Sequence, residues 1–185
     1  RSAKAGAVEK RKPRIGLYRS WVPNMDEGWT RFVLEQFGFD YTRLVNADVQ
    51  KGGLRDRFDV ILFPEASPTS MRDGHKAGAM PPEYVGGLGE NGKAALKAFA
   101  EAGGTLVFLN DSAEYAIEAF ELPVKNVLAG INSREYYCPG SLLDVTLEAG
   151  HPLTYGLPRQ IAIWNEGSPA FEVKAGSVAS YGDKS

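Results

Sequence analysis

The side chains that could carry nucleophilic chemistry in this chain of 185 residues are one serine and two later partners. Ser112 follows directly after an apolar run, and Asp144 and His151 could complete a triad in which the histidine acts as general base for acyl transfer. The glycines that a strained nucleophile turn needs are absent, because Asn110 and Glu114 occupy the flanking positions. The pattern favours helix capping by Asn110, Asp111 or Ser112, and a hydrolase that uses Ser112 with His151 remains the alternative.

The single cysteine and the two histidines indicate neither a thiol enzyme nor a zinc site. Cys138 precedes Pro139, which has no N–H to donate to an oxyanion, so we predict a structural thiol. His75 and His151 are too few for a three-histidine zinc site, and neither stands in a His-Glu-x-x-His spacing. We therefore expect no metal and no other cofactor in this stretch, and we expect His151 to hold a proline-rich turn by hydrogen bonds.

Residues 87–94 match the first seven positions of a phosphate-binding loop. Ala94 stands where that loop needs the Ser or Thr hydroxyl that holds magnesium, and no clear strand precedes the glycines. The segment is therefore predicted to be the start of a helix that runs over about 91–102.

The elements that must position these side chains alternate between short apolar runs and amphipathic stretches from Arg14 onward. This alternation predicts strand–helix–strand units and a flavodoxin-like open, mostly parallel sheet with helices on both faces. Such sheets bind ligands at the carboxyl ends of their strands, near the switch in strand order. The predicted strands are 15–21, 39–45, 59–63 at the sheet centre, 105–109, 141–147 and 161–164.

The first predicted helix begins after a capping residue, Asn24 or Asp26, and ends at Gly38. Its apolar residues recur at helical spacing, so we expect them, Trp29 included, to face the core. This stripe consists of Trp29, Phe32, Val33 and Phe37.

The connection 66–92 is too long for an idle loop in a compact domain. It leaves the carboxyl end of the third predicted strand, beside the loop 20–26 that leaves the first. We therefore predict a polar crevice there, and the alternative is a surface or partner-docking loop. The candidate ligand-binding residues are Glu65, Arg72, His75, Asp111 and Ser112.

Composition excludes several classes of function. The chain is 43% hydrophobic and 24% charged, which is typical of one compact domain, assigned to residues 14–185 after a linker or processed end over 1–13. A formal net charge of −2 gives no excess positive field, so we predict no nucleic-acid partner. No apolar run reaches the roughly 18–20 residues of a membrane span, and composition leaves the compartment undetermined.

Several stretches along the chain together carry a family pattern. They resemble a class I glutamine amidotransferase-like domain, and more narrowly the version appended to the carboxyl end of bacterial zinc carboxypeptidases of the carboxypeptidase A type. The resemblance extends from about Arg14 to Val173. The stretches are 14–21, 26–31, 81–84 with 86–89, 122–126, and 137–143 followed by His151-Pro-Leu153.

The resemblance implies the amidotransferase-like fold but not its activity. Amidotransferases of the wider class use an elbow cysteine with a His and a Glu two residues apart, whereas 109–113 has no cysteine and 151–153 has no Glu. The implied function is a non-catalytic accessory domain with two partners, the peptidase domain of the same parent chain and a small-molecule or peptide ligand.

The resemblance also implies zinc only in the catalytic domain of that parent, which would be a metallocarboxypeptidase and hence a hydrolase. A secreted or periplasmic location is suggested by the resemblance alone.

A third hypothesis, a structural dimerisation module, predicts a broad exposed apolar surface instead of a polar crevice.

Overall fold

A computed structural model of the chain describes residues 11–174 and 176–182, so most of the predicted linker lies outside the described residues. The chain divides into two compact units, 1–115 and 116–185, which are described separately below. The assignment of 14–185 to one domain stays a prediction. Within the described ranges, no helix is long and apolar enough to cross a membrane.

The first unit contains a four-stranded parallel sheet in the order β2-β1-β3-β4. The chain passes from β1 to β2 on one side and then crosses to β3 on the other, so the switch in strand order lies between β1 and β3. The strands are β1 (Ile15–Tyr18), β2 (Tyr41–Leu44), β3 (Val60–Phe63) and β4 (Thr105–Phe108), and the helices are α1 (Met25–Gln36), α2 (Asn46–Gln50), α3 (Leu54–Arg57), α4 (Pro68–Arg72) and α5 (Gly89–Glu101). Helix α6 (Ser112–Phe120) begins in the first unit and ends in the second.

The interior strand β3 carries the centre of the core. Ile61 and Phe63 are fully buried, and the Phe63 ring stacks on Phe108 at a centroid distance of 4.4 Å. Tyr18 lies against the same ring at 5.1 Å. The prediction that this apolar run occupies the sheet centre is therefore confirmed.

The start of α1 is fixed by Asn24, one of the two predicted caps. Its Oδ1 accepts hydrogen bonds from the amides of Asp26 at 2.8 Å and Glu27 at 3.3 Å. Asp26 lies in the first turn, where a carboxylate stabilises the helix dipole. The helix is followed by Gly38 at φ +67°, as the sequence predicts.

The apolar stripe of α1 faces solvent, and the expectation that Trp29 belongs to the core is wrong. Trp29 is 59% exposed and Phe32 is 52% exposed. The opposite face contains the buried Glu27, whose Oε1 lies 3.3 Å from Arg31 Nε. Helical spacing identifies an apolar stripe but does not say what the stripe packs against.

The connection between β3 and α5 is ordered by close backbone contacts. The Gly86 amide donates to the His75 carbonyl at 2.9 Å, and the Leu88 amide donates to the Met71 carbonyl at 2.7 Å. Gly74 has φ +59°, and a Cβ added there would lie 2.0 Å from the Gly86 carbonyl oxygen. Residues 71–75 and residues 86–88 of this connection therefore lie side by side. The connection also contains α4 and a 3₁₀ turn (Pro82–Tyr84).

The segment that resembles a phosphate loop is the start of α5, as predicted. The helix begins at Gly89, so Gly92 and Lys93 are already helical. Lys93 Nζ lies 3.9 Å from Glu90 Oε2 one turn earlier. A cradle of loop amides for phosphate is therefore not formed here.

An arginine–aspartate cluster joins the amino ends of the two central strands. Asp59 accepts from the Arg14 side chain at 2.9 and 3.1 Å, from the Arg14 amide at 2.9 Å, and from Arg55 Nη1 at 2.7 Å. The Arg14 side chain, the Arg14 amide and Arg55, in that order, hold the pKa of Asp59 well below its usual range. The carboxylate is therefore bound more tightly than its protonated form.

We expect Asp59→Asn to lower the melting temperature at neutral pH, by an amount that shrinks on acidification. The folded-state pKa is lowered, so this stabilisation is present above the unfolded pKa of roughly 3.9 and is lost as the pH falls towards the folded value. Thermal unfolding of the wild-type protein and of the variant at about pH 7 and about pH 3 measures the difference in melting temperature. A difference in melting temperature that is larger at acidic pH than at neutral pH would contradict this assignment.

The second unit is built from short antiparallel strands. Strand β6 (Ser141–Leu147) matches its predicted bounds and pairs with β7 (Gln160–Asn165) on one side and β9 (Ala179–Tyr181) on the other. Strand β5 (Val124–Asn126) pairs with β8 (Phe171–Val173). The parallel sheet is thus confined to the first unit.

Candidate functional site

A pocket of about 220 Å³ lies at the switch in strand order of the first unit. One wall is the segment after β1 together with the first turn of α1, and the other is the segment after β3. This is the crevice that the sequence predicts between the loop 20–26 and the connection after the third strand. The lining residues are Ser20, Val22, Pro23, Asn24, Met25 and Asp26 on one wall, and Glu65, Ala66, Ser67 and Ser70 on the other.

Asn24 joins the two walls. Its Oδ1 caps α1, and its Nδ2 donates to the main-chain carbonyl of Glu65. One side chain therefore fixes both the first turn of α1 and the backbone that follows β3. Sequence reasoning identified Asn24 only as a cap, because nothing in the spacing shows the second contact.

The charged groups that line the pocket are both acidic. They are Asp26 and Glu65, and the other polar side chains include three serine hydroxyls. Ser20 Oγ accepts from the Val22 amide at 3.1 Å, while Ser67 Oγ donates to Ser70 Oγ at 2.8 Å. Such a lining is suited to ligands that donate hydrogen bonds or carry positive charge, and it disfavours anions.

The turn between β4 and α6 has the geometry of a nucleophile elbow without a nucleophile. Asn110 has φ +52°, in the left-handed region that side chains rarely adopt, at a strand-to-helix turn. Its Nδ2 donates to Glu65 Oε2. Asn110 therefore holds one oxygen of the Glu65 carboxylate.

Asn110 was predicted only as a flanking residue or a cap. Asparagine is among the few non-glycine residues that enter the left-handed region readily, so an Asn directly after a predicted strand was the available signal.

Ser112 and His151 each serve a local hydrogen-bond network. Ser112 is fully buried, and its hydroxyl is directed at the carbonyls of Leu109 at 2.7 Å and Phe63 at 3.2 Å. His151 Nδ1 accepts from the Leu153 amide at 3.2 Å in a 3₁₀ turn, which confirms its predicted role in that turn. The two residues belong to different units. Each makes these hydrogen bonds within its own unit.

Four of the five ligand candidates lie outside the pocket lining, which contains Glu65. Arg72 is exposed, with Nε 3.3 Å from Asp73 Oδ1. His75 Nε2 lies 3.1 Å from the Trp21 carbonyl oxygen. Asp111 is partly buried, and this burial, with the nearby Glu114 charge second, raises its pKa.

Cys138 is partly buried in the second unit, immediately before β6. Its Sγ donates to the Asn165 carbonyl at 3.5 Å. Burial by itself would raise the pKa of this thiol, but hydrogen bonds from Ser141 and the Gly140 amide outweigh it and keep the pKa below the usual value. Across residues 11–174 and 176–182, no group of three or more His, Cys, Asp or Glu side chains is arranged to hold a metal ion.

Comparison with known proteins identifies the fold. No family model and no curated protein matches the chain. A candidate GMP synthase component from Thermoplasma acidophilum is 13% identical, with a TM-score of 0.52, over 94% of this chain and 75% of that one. A candidate ThuA-like protein from Bacteroides uniformis is 12% identical, with a TM-score of 0.50, over 92% of this chain and 64% of that one.

At these identities the likeness concerns the fold alone. The chain has a mixed α/β, flavodoxin-like fold of the class I glutamine amidotransferase type, as predicted from its sequence. It spans less than two thirds of the length of the ThuA-like relative.

Proposed function

We propose that this chain is a non-catalytic accessory domain that binds a small hydroxyl- or amine-bearing ligand in its switch-point pocket. The observation that supports this most directly is the elbow after β4, where Asn110 replaces a nucleophile and holds the Glu65 carboxylate. An elbow of this kind holds a carboxylate of the pocket lining in place and presents no reactive group.

The chemistry of the neighbouring residues supports a non-catalytic role. An amide side chain is not a nucleophile under physiological conditions, and the nearest hydroxyl in the chain, that of Ser112, is fully buried against two carbonyls. A nucleophile needs a base within about 3.2 Å and a path to substrate. The hydrolase alternative therefore receives no support from Ser112.

The lining of the pocket argues for the ligand class. The carboxylates of Glu65 and Asp26 can accept hydrogen bonds from a ligand, and the serine hydroxyls can accept or donate them. A volume of about 220 Å³ is smaller than the roughly 300–1,000 Å³ of drug-sized sites, so the ligand is of monosaccharide or amino-acid size.

The identity of the parent protein rests on the sequence resemblance. The stretches 14–21 and 137–143 support placement of this domain in a bacterial zinc carboxypeptidase. In that setting zinc and peptidase activity belong to the catalytic domain, which is also the proposed partner, and the whole protein is exported. Peptidase assays of a parent chain with and without this domain test the placement.

We expect D-glucosamine to bind more tightly than D-glucose, and inorganic phosphate not to bind, because the lining is acidic. Glu65→Gln should weaken glucosamine binding by at least about tenfold, since charge-assisted hydrogen bonds contribute roughly 1.5–3 kcal/mol. Amide chemical shifts of residues 20–26 and 65–70, recorded by NMR during titration, measure both affinity and location.

The matched control is Glu101→Gln, which neutralises an exposed carboxylate at the end of α5. It should leave glucosamine binding unchanged. Phosphate binding in preference to glucosamine, or hydrolysis of glutamine by the chain, would show that the proposed function is wrong.

A further inference from the structure

The outward face of α1 carries five large apolar side chains, with the exposed Gln36 among them in the last turn. Its members are more than half exposed and occupy one side of the helix, whereas the inward side holds the Glu27–Arg31 pair. This arrangement reverses the usual pattern of a surface helix. We call this surface the α1 apolar face; it consists of Met25 (74% exposed), Trp29 (59%), Phe32 (52%), Val33 (52%) and Phe37 (76%).

The exposed fractions of these side chains give the apolar area that a partner could cover. Aromatic side chains bury roughly 150–250 Å² each when covered, so the exposed fractions on this face leave on the order of 500 Å² of apolar surface. Two such faces in contact would cover about 1,000 Å², which is the lower limit for a specific interface. The face is therefore large enough to be one half of a symmetric dimer interface.

The order of residues along the α1 apolar face is nearly symmetric about Arg31. Met25 and Phe37 lie six residues before and after it, and Trp29 and Val33 lie two residues before and after it. In a twofold, antiparallel pair of helices centred on this position, four of the five members therefore meet an apolar partner, and Phe32 lies opposite Thr30. Met25 lies against Phe37 of the second copy, where sulfur–aromatic contact is favourable, and Trp29 lies against Val33.

Charge and dipole also suit an antiparallel pair. Lys12 Nζ lies 3.4 Å from the Gly38 carbonyl at the carboxyl end of α1, and Asp26 lies in the first turn at the other end. Antiparallel pairing brings the Lys12 of one copy towards the Asp26 of the other, and it sets the two helix dipoles in opposite directions.

We infer that the α1 apolar face is a homodimer interface in which α1 packs antiparallel against α1 of a second copy of this chain. An isologous interface requires the same surface to be complementary to itself, and the near-symmetric order of these side chains meets that requirement. Because Met25 also lines the switch-point pocket, Phe37 of the second copy lies beside its mouth.

The first test is the oligomeric state of the 185-residue chain by sedimentation equilibrium up to about 1 mM. We expect a monomer–dimer equilibrium, and Phe32→Glu should raise the dimer Kd by at least about tenfold. The control Met80→Glu changes an exposed apolar residue away from α1 and should leave Kd unchanged. Val33→Glu serves as a second variant if Phe32→Glu lowers the melting temperature.

A cysteine pair tests the orientation in a Cys138→Ser background. The antiparallel register places residue 25 of one copy beside residue 37 of the other, so Met25→Cys with Phe37→Cys should oxidise to a covalent dimer. Met25→Cys alone should not, because the two copies of residue 25 lie about 18 Å apart, beyond the roughly 7 Å limit for a disulfide.

Three results would overturn the inference. They are a monomer at every concentration, a dimer that Phe32→Glu and Val33→Glu leave intact, and efficient oxidation of the Met25→Cys single variant. All three are measured on the chain without added ligand, so they are distinguishable from failure of the proposed function.

Discussion

Phe63→Ala is expected to destabilise the first unit by about 3–5 kcal/mol, the range for truncation of a fully buried phenylalanine. The ring stacks on Phe108 and contacts Tyr18, so its removal leaves a cavity between three strands of the sheet. The surrounding strands cannot close this cavity, because their backbones are fixed by the parallel ladder. Chemical denaturation followed by circular dichroism measures the free energy of unfolding.

Phe39→Ala is the matched control for that substitution. Phe39 is in the same unit but 46% exposed, so removal of its ring should cost about 1 kcal/mol or less. Equal destabilisation by the two variants would show that Phe63 is not at the centre of the core. Phe63→Ala should also make the pocket wall that follows β3 more mobile, since Glu65 follows β3 by two residues.

Gly74→Ala is the second substitution with a large expected effect, about 2–5 kcal/mol. A side chain at φ +59° costs roughly 1–2 kcal/mol, and a Cβ there would meet the Gly86 carbonyl oxygen at 2.0 Å. That carbonyl cannot move away freely, because it accepts from Asn46 Nδ2 at 2.8 Å. Asn46 in turn accepts from the buried Tyr18 hydroxyl at 2.7 Å. A displaced Gly86 carbonyl would therefore also disturb the hydrogen bond of a core residue.

Gly78→Ala separates backbone strain from steric clash. Gly78 has φ +81°, yet an added Cβ there has nothing within 4 Å. We expect this variant to lose only the strain component, about 1–2 kcal/mol. If both variants unfold at the same denaturant concentration, the close approach of Gly74 to Gly86 contributes nothing to stability.

The parallel sheet could be predicted from the sequence because three of its four strands, β1, β3 and β4, are short apolar runs bounded by turn residues. The run 59–63 was assigned to the sheet centre on that basis, and β3 is an interior strand. The pocket position followed from the topological rule that ligands bind at the switch in strand order. Both inferences depend on local pattern and general topology, which a single sequence contains.

The contacts that build the pocket could not be predicted in the same way. Asn24 and Asn110 both bind Glu65, but they are 41 and 45 residues away from it in the chain. The direction of the α1 apolar face was also unpredictable, because periodicity is identical whether a stripe packs inward or outward. Of the five ligand candidates, only Glu65 lines the pocket, because a position after the end of a strand does not determine where the side chain points.

The two hydrogen-bonding roles of Asn24 couple the proposed ligand site to the proposed dimer. A ligand that shifts the backbone at Glu65 must either break the bond from Asn24 or carry the first turn of α1 with it. Met25 in that turn belongs to the α1 apolar face, so occupancy of the pocket would alter the affinity between copies. Thermodynamic reciprocity then requires self-association to change ligand affinity by the same factor.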